Sequence, residues 1–81
     1  MKYACPCCSY LTFDEMPAGS FDICPVCYWE DDPVQSKDPN FVGGANGVSL
    51  IEAKANFLKF GAVKKECQRY VRQPLPEEVP K

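Results

Sequence analysis

The chain has 81 residues, a formal net charge of −2, six cysteines and no histidine. That length fits one domain, whose small core is expected to need a disulfide framework, a metal or a partner. Without histidine no Ser or Cys has an imidazole base, no apolar stretch is long enough to span a membrane, and no secretory apolar run follows Met1–Pro6.

A reducing cytoplasm is the expected compartment, and there a cysteine pattern points to metal binding before disulfides. The charge is unevenly spread. Residues 1–40 carry a net −5 and residues 41–81 a net +3. Four metal-bound thiolates would make the first half more acidic still, which disfavours nonspecific attraction to nucleic acid.

Residues 1–30 hold the cysteines with aromatic residues among them. Ala4-Cys5-Pro6-Cys7-Cys8-Ser9-Tyr10 aligns with Ile23-Cys24-Pro25-Val26-Cys27-Tyr28-Trp29, an internal repeat that sets Cys7 opposite Val26. Segments 10–13 and 20–23 read as short strands with Met16-Pro17-Ala18-Gly19 as the turn between them. Trp29-Glu30-Asp31-Asp32 follows. The acidic run lacks the alternating ligands and glycine of a calcium loop. It reads either as a solvated acidic loop or as a patch for a basic partner surface, with Trp29 or Tyr28 as the aromatic anchor.

Residues 31–48 are rich in Asp, Pro, Gly and Asn and read as a loop. Gly43-Gly44-Ala45-Asn46-Gly47 lacks the Gly-Lys-Ser/Thr ending of a phosphate loop and reads as a lead into a helix. Ser49 with Glu52 is a capping box, and Leu50, Ala53, Phe57 and Phe60, widened by Leu58, form an apolar stripe. Gly61 is the expected stop. A second helix is predicted over about residues 62–72, with Val63, Cys67, Tyr70 and Val71 inward and Lys65, Arg69 and Arg72 outward. Three prolines predict an extended tail over residues 74–81, leaving residues 1–73 as the domain.

Cys5, Cys8, Cys24 and Cys27 give Cys-x2-Cys, fifteen residues, Cys-x2-Cys, a spacing that reads as one structural zinc site. Each Cys-x-x-Cys turn brings two sulfurs to one ion, and four thiolates leave no position open for substrate or water. Disulfides in an exported protein, a redox pair in a βαβ context, or iron in the same thiolate set are the other readings of this spacing. The repeat argues against Cys7 as a ligand. Cys67, on an apolar face, reads as core.

These motifs resemble the cysteine-rich CPCC family of small, mostly bacterial proteins. The resemblance rests on Cys5-Pro6-Cys7-Cys8, on Ile23-Cys24-Pro25-Val26-Cys27 and on Trp29-Glu30-Asp31-Asp32. Gly43-Gly44-Ala45-Asn46, Ser49-Leu50, Asn56-Phe57, Phe60-Gly61 and Tyr70-Val71-Arg72 extend it along the chain. It implies a zinc-ribbon-like domain with appended helices and no catalytic residues, some relatives resembling immunity proteins encoded beside bacterial toxins.

The fold expected is therefore a small α+β domain: zinc-ribbon-like antiparallel hairpins followed by one or two helices. The stripe Leu50, Phe57, Leu58 and Phe60 is expected to bury against Leu11, Phe13 and Phe21. The expected function is a non-enzymatic, zinc-stabilised protein-interaction module, with toxin neutralisation as one role and Trp29, Glu30, Asp31 and Asp32 as the contact surface. A nucleic-acid-binding ribbon using Lys65, Arg69 and Arg72, and a thiol-transfer protein using Cys7, are the alternatives.

Overall fold

A computed structural model describes residues 2–80; Met1 and Lys81, the outer ends of the expected domain and tail, lie outside the described residues. The first cysteine turn reverses the chain, so the residues on either side of it pair. β1 (Tyr3–Ala4) runs antiparallel to β2 (Leu11–Phe13), with Tyr3 opposite Phe13 and Ala4 opposite Leu11. The second turn does the same more briefly, through a single bridge between Ile23 and Glu30. With the helices that follow, this is a small α+β fold.

The expected strand at 20–23 is not formed as such. Each cysteine turn pairs its own flanks, which leaves segment 10–13 joined to 3–4. Segment 20–23 is held by Asp31 and its neighbours: Phe21 N–H donates to the Asp31 carbonyl and Asp31 N–H to the Asp22 carbonyl. The Asp31 carboxylate accepts the N–H groups of Ala18, Gly19 and Ser20 at 3.0, 2.8 and 2.9 Å. A carboxylate with this many donors is anchored structure, because each would otherwise need water or another acceptor.

The run expected to face a partner therefore turns inward. Trp29 and Asp31 are each 1% exposed, Asp32 is buried and Glu30 is half-buried. A buried indole cannot anchor another protein, so Trp29, Asp31 and Asp32 are corrected from contact surface to scaffold, while Glu30 stays partly exposed. Asp32 begins a short helix, α1 (Pro33–Lys37), inside the segment expected to be loop. Its side chain accepts from Val34 and Gln35 N–H, with Pro33 in the first turn. Its other oxygen accepts Ala45 N–H at 3.0 Å. These donors, Ala45 first, hold its carboxyl below the usual carboxylate range.

The glycine-rich segment is the other half of this arrangement. Asn46 brackets Glu30, accepting its N–H at 2.8 Å and donating to its carbonyl at 2.9 Å, and donates also to the Gln35 amide oxygen. Gln35 in turn donates to the carbonyls of Phe41 and Val48. Gly44 has a positive φ of 62°, and a Cβ there would stand 2.8 Å from an Asp32 carboxylate oxygen. Glycine is required there by both conformation and space. Among the described residues every buried side-chain N and O has a hydrogen-bond partner.

α2 (Leu50–Phe60) starts as expected, with Ser49 Oγ accepting Glu52 N–H, and stops at Gly61 in the left-handed conformation. Beyond it, Asn56 donates to the Val63 carbonyl, and Val63 N–H donates to the Cys27 carbonyl, which fastens the helix exit to the second cysteine turn. The second helix is a tighter 3-10 turn, Lys65–Tyr70, without a side-chain cap. A chain with no cap gains little by continuing as α-helix, whereas a short 3-10 turn is enough to bury Cys67. The expected tail also folds back. Pro76–Glu78 is a second 3-10 turn, and buried Glu78 forms a bidentate pair with Arg72 at 2.8 and 2.8 Å. Arg72 is the chief cause that pushes the Glu78 carboxyl down to about 2. Proline excludes an α-helix interior but suits the first residue of such a turn.

The core gathers Cys5, Cys7, Phe13, Cys24, Val26, Cys27, Trp29, Leu50, Ala53, Ala62, Val63 and Cys67. The expected stripe is half right. Leu50 is buried and Phe57 packs edge-on against Tyr10 at 6.3 Å, but Leu58 is 86% and Phe21 54% exposed. Leu58 lies on the far side of the helix from Ala53, and Phe21 is carried outward on a positive φ of 63°. No helix is long and apolar enough to cross a membrane among the described residues.

Removing the Asp31 carboxylate strands a cluster of backbone donors that water reaches in part. Asp31→Ala is expected to lower the stability of the metal-loaded protein by about 2 kcal/mol, and Gly44→Ala to lower it as well. Thermal denaturation followed by circular dichroism measures both.

Candidate metal centre

The two cysteine turns are built alike. Cys5 N–H donates to the Tyr10 carbonyl and Ser9 N–H to the Cys5 carbonyl, each at 2.9 Å; Cys24 N–H to Trp29 and Tyr28 N–H to Cys24 repeat the pattern, each at 2.8 Å. Ser9 and Tyr28, one residue past each second cysteine, take matching left-handed φ values of 72° and 74°. Such a conformation is strained for a residue with a Cβ. At Tyr28 the ring stacks on Tyr70 with centroids 5.1 Å apart, an attraction that offsets part of the strain.

The turns face each other, and Cys5, Cys8, Cys24 and Cys27 bring their four sulfurs within 4.8 Å of one another. Cys5 and Cys27 Sγ are 3.6 Å apart, and Cys8 and Cys24 Sγ 3.7 Å. Sulfurs bound at about 2.3 Å to one tetrahedral ion stand about 3.8 Å apart. All six cysteines are free thiols, so the spacing is that of a metal cage and not of disulfides. The cluster can hold a metal ion, and its donor set is complete: four soft sulfurs leave no coordination position for water or substrate.

The surroundings reinforce the sulfurs. Thr12, on β2, places Oγ1 3.1 Å from Cys24 Sγ, within reach to donate its hydroxyl proton, and Cys7 N–H donates to Cys5 Sγ at 3.4 Å. Such outer hydrogen bonds spread thiolate charge and orient ligands. Hydrogen bonding with Cys27, then Cys5 and Cys8, pushes the Cys24 thiol far below the ordinary thiol range. Hydrogen bonding to Cys24 is in turn the leading cause that pushes the other three far above it. A cation bound by all four sulfurs would take the place of their protons.

Cys7, opposite Val26 in the repeat, is buried like it and stands outside the four-sulfur set. Cys67 is buried in the core. The cationic set Lys65, Arg69 and Arg72 is divided, because Arg72 is committed to Glu78. The glycine segment is engaged with Asp32 and Gln35. Thr12 carried no signal in the sequence. A threonine in a short strand is ordinary, and only the register across the first cysteine turn aims it at the opposite one.

A family model described as cysteine-rich CPCC matches residues 3–78, and the chain belongs to that family. No curated protein sequence matches the chain.

Serine at Cys5, Cys8, Cys24 or Cys27 is expected to abolish stoichiometric metal binding, whereas Cys7→Ser and Cys67→Ser retain one ion per chain. Metal affinity in the wild type is expected to fall steeply as pH drops, because protons compete for the sulfurs. Elemental analysis after gel filtration and chelator competition across pH measure these outcomes.

Proposed function

We propose that this member of the cysteine-rich CPCC family holds one structural zinc ion and acts as a non-enzymatic protein-interaction module in the cytoplasm. The observation that carries the metal reading is the closed four-sulfur cage, with paired separations of 3.6 and 3.7 Å. Zinc suits such a cage because it has no redox chemistry and no need of an open position. The ion then serves the fold: its binding energy is folding energy, which a domain this small needs.

The interaction reading is supported by what remains outside. Ile51 and Leu58 on α2, and Val42 and Met16 on loops, are more than half exposed on a chain of 81 residues. With the coordination shell closed and no histidine in the chain, surface recognition is a better match to these residues than catalysis. Neutralisation of a bacterial toxin is the role the family resemblance suggests. The nucleic-acid reading is weakened, since its cationic face keeps only Lys65 and Arg69 free of the Arg72–Glu78 pair.

The test is a native mass spectrum of the tagged protein isolated from its source cells. A colourless species with one zinc ion and one other protein in fixed ratio is expected. One iron in place of zinc would contradict the metal assignment. A zinc-loaded chain with no protein bound would contradict the interaction reading.

A further inference from the structure

α2 carries two apolar stripes on opposite sides. Leu50, Ala53 and Phe57 face the core. Ile51, Ala55 and Leu58 stand at i, i+4 and i+7, which places them on one other face of the helix. All three are exposed, Ile51 at 53%. A surface helix needs only one buried stripe, with polar residues opposite. Here the outward side has a second seam with the spacing used for helix-against-helix packing.

The seam has a charged border and a neighbouring hollow. Lys54 flanks it on one side and Lys59 on the other, with Glu52 two turns before Lys59 on that same border, all three exposed. Among the described residues the ion pairs are Lys2–Asp14 and Arg72–Glu78, so neither flanking lysine is neutralised by a salt bridge within the described chain. Beside Leu58 lies an open groove of about 390 Å³ between α2 and the first cysteine turn, walled by Cys8, Ser9, Tyr10, Lys54 and Phe57. Its floor is held by the backbone hydrogen bonds of the first cysteine turn, Cys5 N–H to Tyr10 and Ser9 N–H to Cys5, and by the Tyr10–Phe57 contact.

We propose that the Ile51–Ala55–Leu58 face and this groove dock an amphipathic helix of another protein, its apolar stripe bordered by Asp or Glu. This rests on the interaction reading above and names its surface. The partner's apolar side chains cover the seam and one enters the groove, while its acids meet Lys54 and Lys59. A second copy of this chain fits less well. Parallel packing of two such seams sets Lys54 beside Lys59 of the other copy, and antiparallel packing sets the two Lys54 residues together at the centre, offset only by Glu52 reaching Lys59.

The probe is a monomeric, lactam-constrained peptide of about 18 residues, roughly five helical turns, with leucines on one face and glutamates on both borders. A twin peptide carries lysine in place of every glutamate. Each is titrated into zinc-loaded, nitrogen-15-labelled protein and followed by amide chemical shifts. Saturable shifts confined to residues 51–59 and 8–10 are expected, with the glutamate peptide about tenfold tighter at low salt. Leu58→Asp is expected to abolish them while keeping the metal and the rest of the spectrum, since Leu58 supports no core contact. No shifts, equal binding of the twin peptides, shifts elsewhere, or binding unchanged in Leu58→Asp would overturn the proposal. Concentration-dependent shifts of this face without peptide, with a doubled mass, would assign it to a second copy and overturn it too. Recovery of a cellular partner unaffected by Leu58→Asp would remove this surface and leave the interaction reading standing. Recovery of no partner at all would remove that reading itself.

Discussion

Four sulfurs that must converge on one point impose the geometry from which the rest of this domain follows. Each Cys-x-x-Cys turn reverses the chain so that its flanks pair, and opposing the two turns brings segments separated by fifteen residues side by side. The helical half is then tied to the second turn by backbone hydrogen bonds, Val63 N–H to the Cys27 carbonyl and Arg72 N–H to the Pro25 carbonyl. Before a cation arrives, the same cluster is a liability, because it gathers thiols whose charges repel once ionised. A cation held by the four sulfurs would compensate that charge.

A second constraint organises the irregular segments outside the cysteine turns. Asp31, Asp32, Gln35 and Asn46 are buried polar groups, and each is fully engaged with backbone: Asp31 with residues 18–20, Asp32 with 34, 35 and 45, Gln35 with 41 and 48, Asn46 with 30. A satisfied network of this kind specifies one arrangement of irregular chain where no sheet is available to do so. It explains how a domain with two short strands among its described residues keeps long loops in place, and why the acidic run and the glycine run occur together.

Local signals were legible in the sequence where a rule ties residue type to conformation. Ser49 and Gly61 delimit α2 as expected, the repeat announces two equivalent turns, and the cysteine spacing marks the four sulfurs that the structure brings together. What stayed hidden depends on distant partners. Trp29-Glu30-Asp31-Asp32 has the composition of an exposed patch, and only the backbone donors of residues 18–20 and 45 turn it inward. Leu58 extends an apparent core stripe in a one-dimensional reading, although its angle on the helix puts it outside. The proline-rich end gives no hint that Arg72 will draw Glu78 back onto the domain. Thr12 reaches Cys24 only through pairing across the first turn.

The chemistry of the ion and the shape of the surface thus have separate tasks. On the reading proposed above, the thiolate shell would supply stability that a core this small lacks, and recognition would fall to side chains outside it. The central claim, one zinc ion held by four cysteine thiolates, is tested most directly by X-ray absorption at the zinc edge of the purified protein. The account expects a single shell of four sulfurs at about 2.3 Å. A shell containing nitrogen or oxygen, fewer than four sulfurs, or a protein that is folded while carrying no zinc would contradict it.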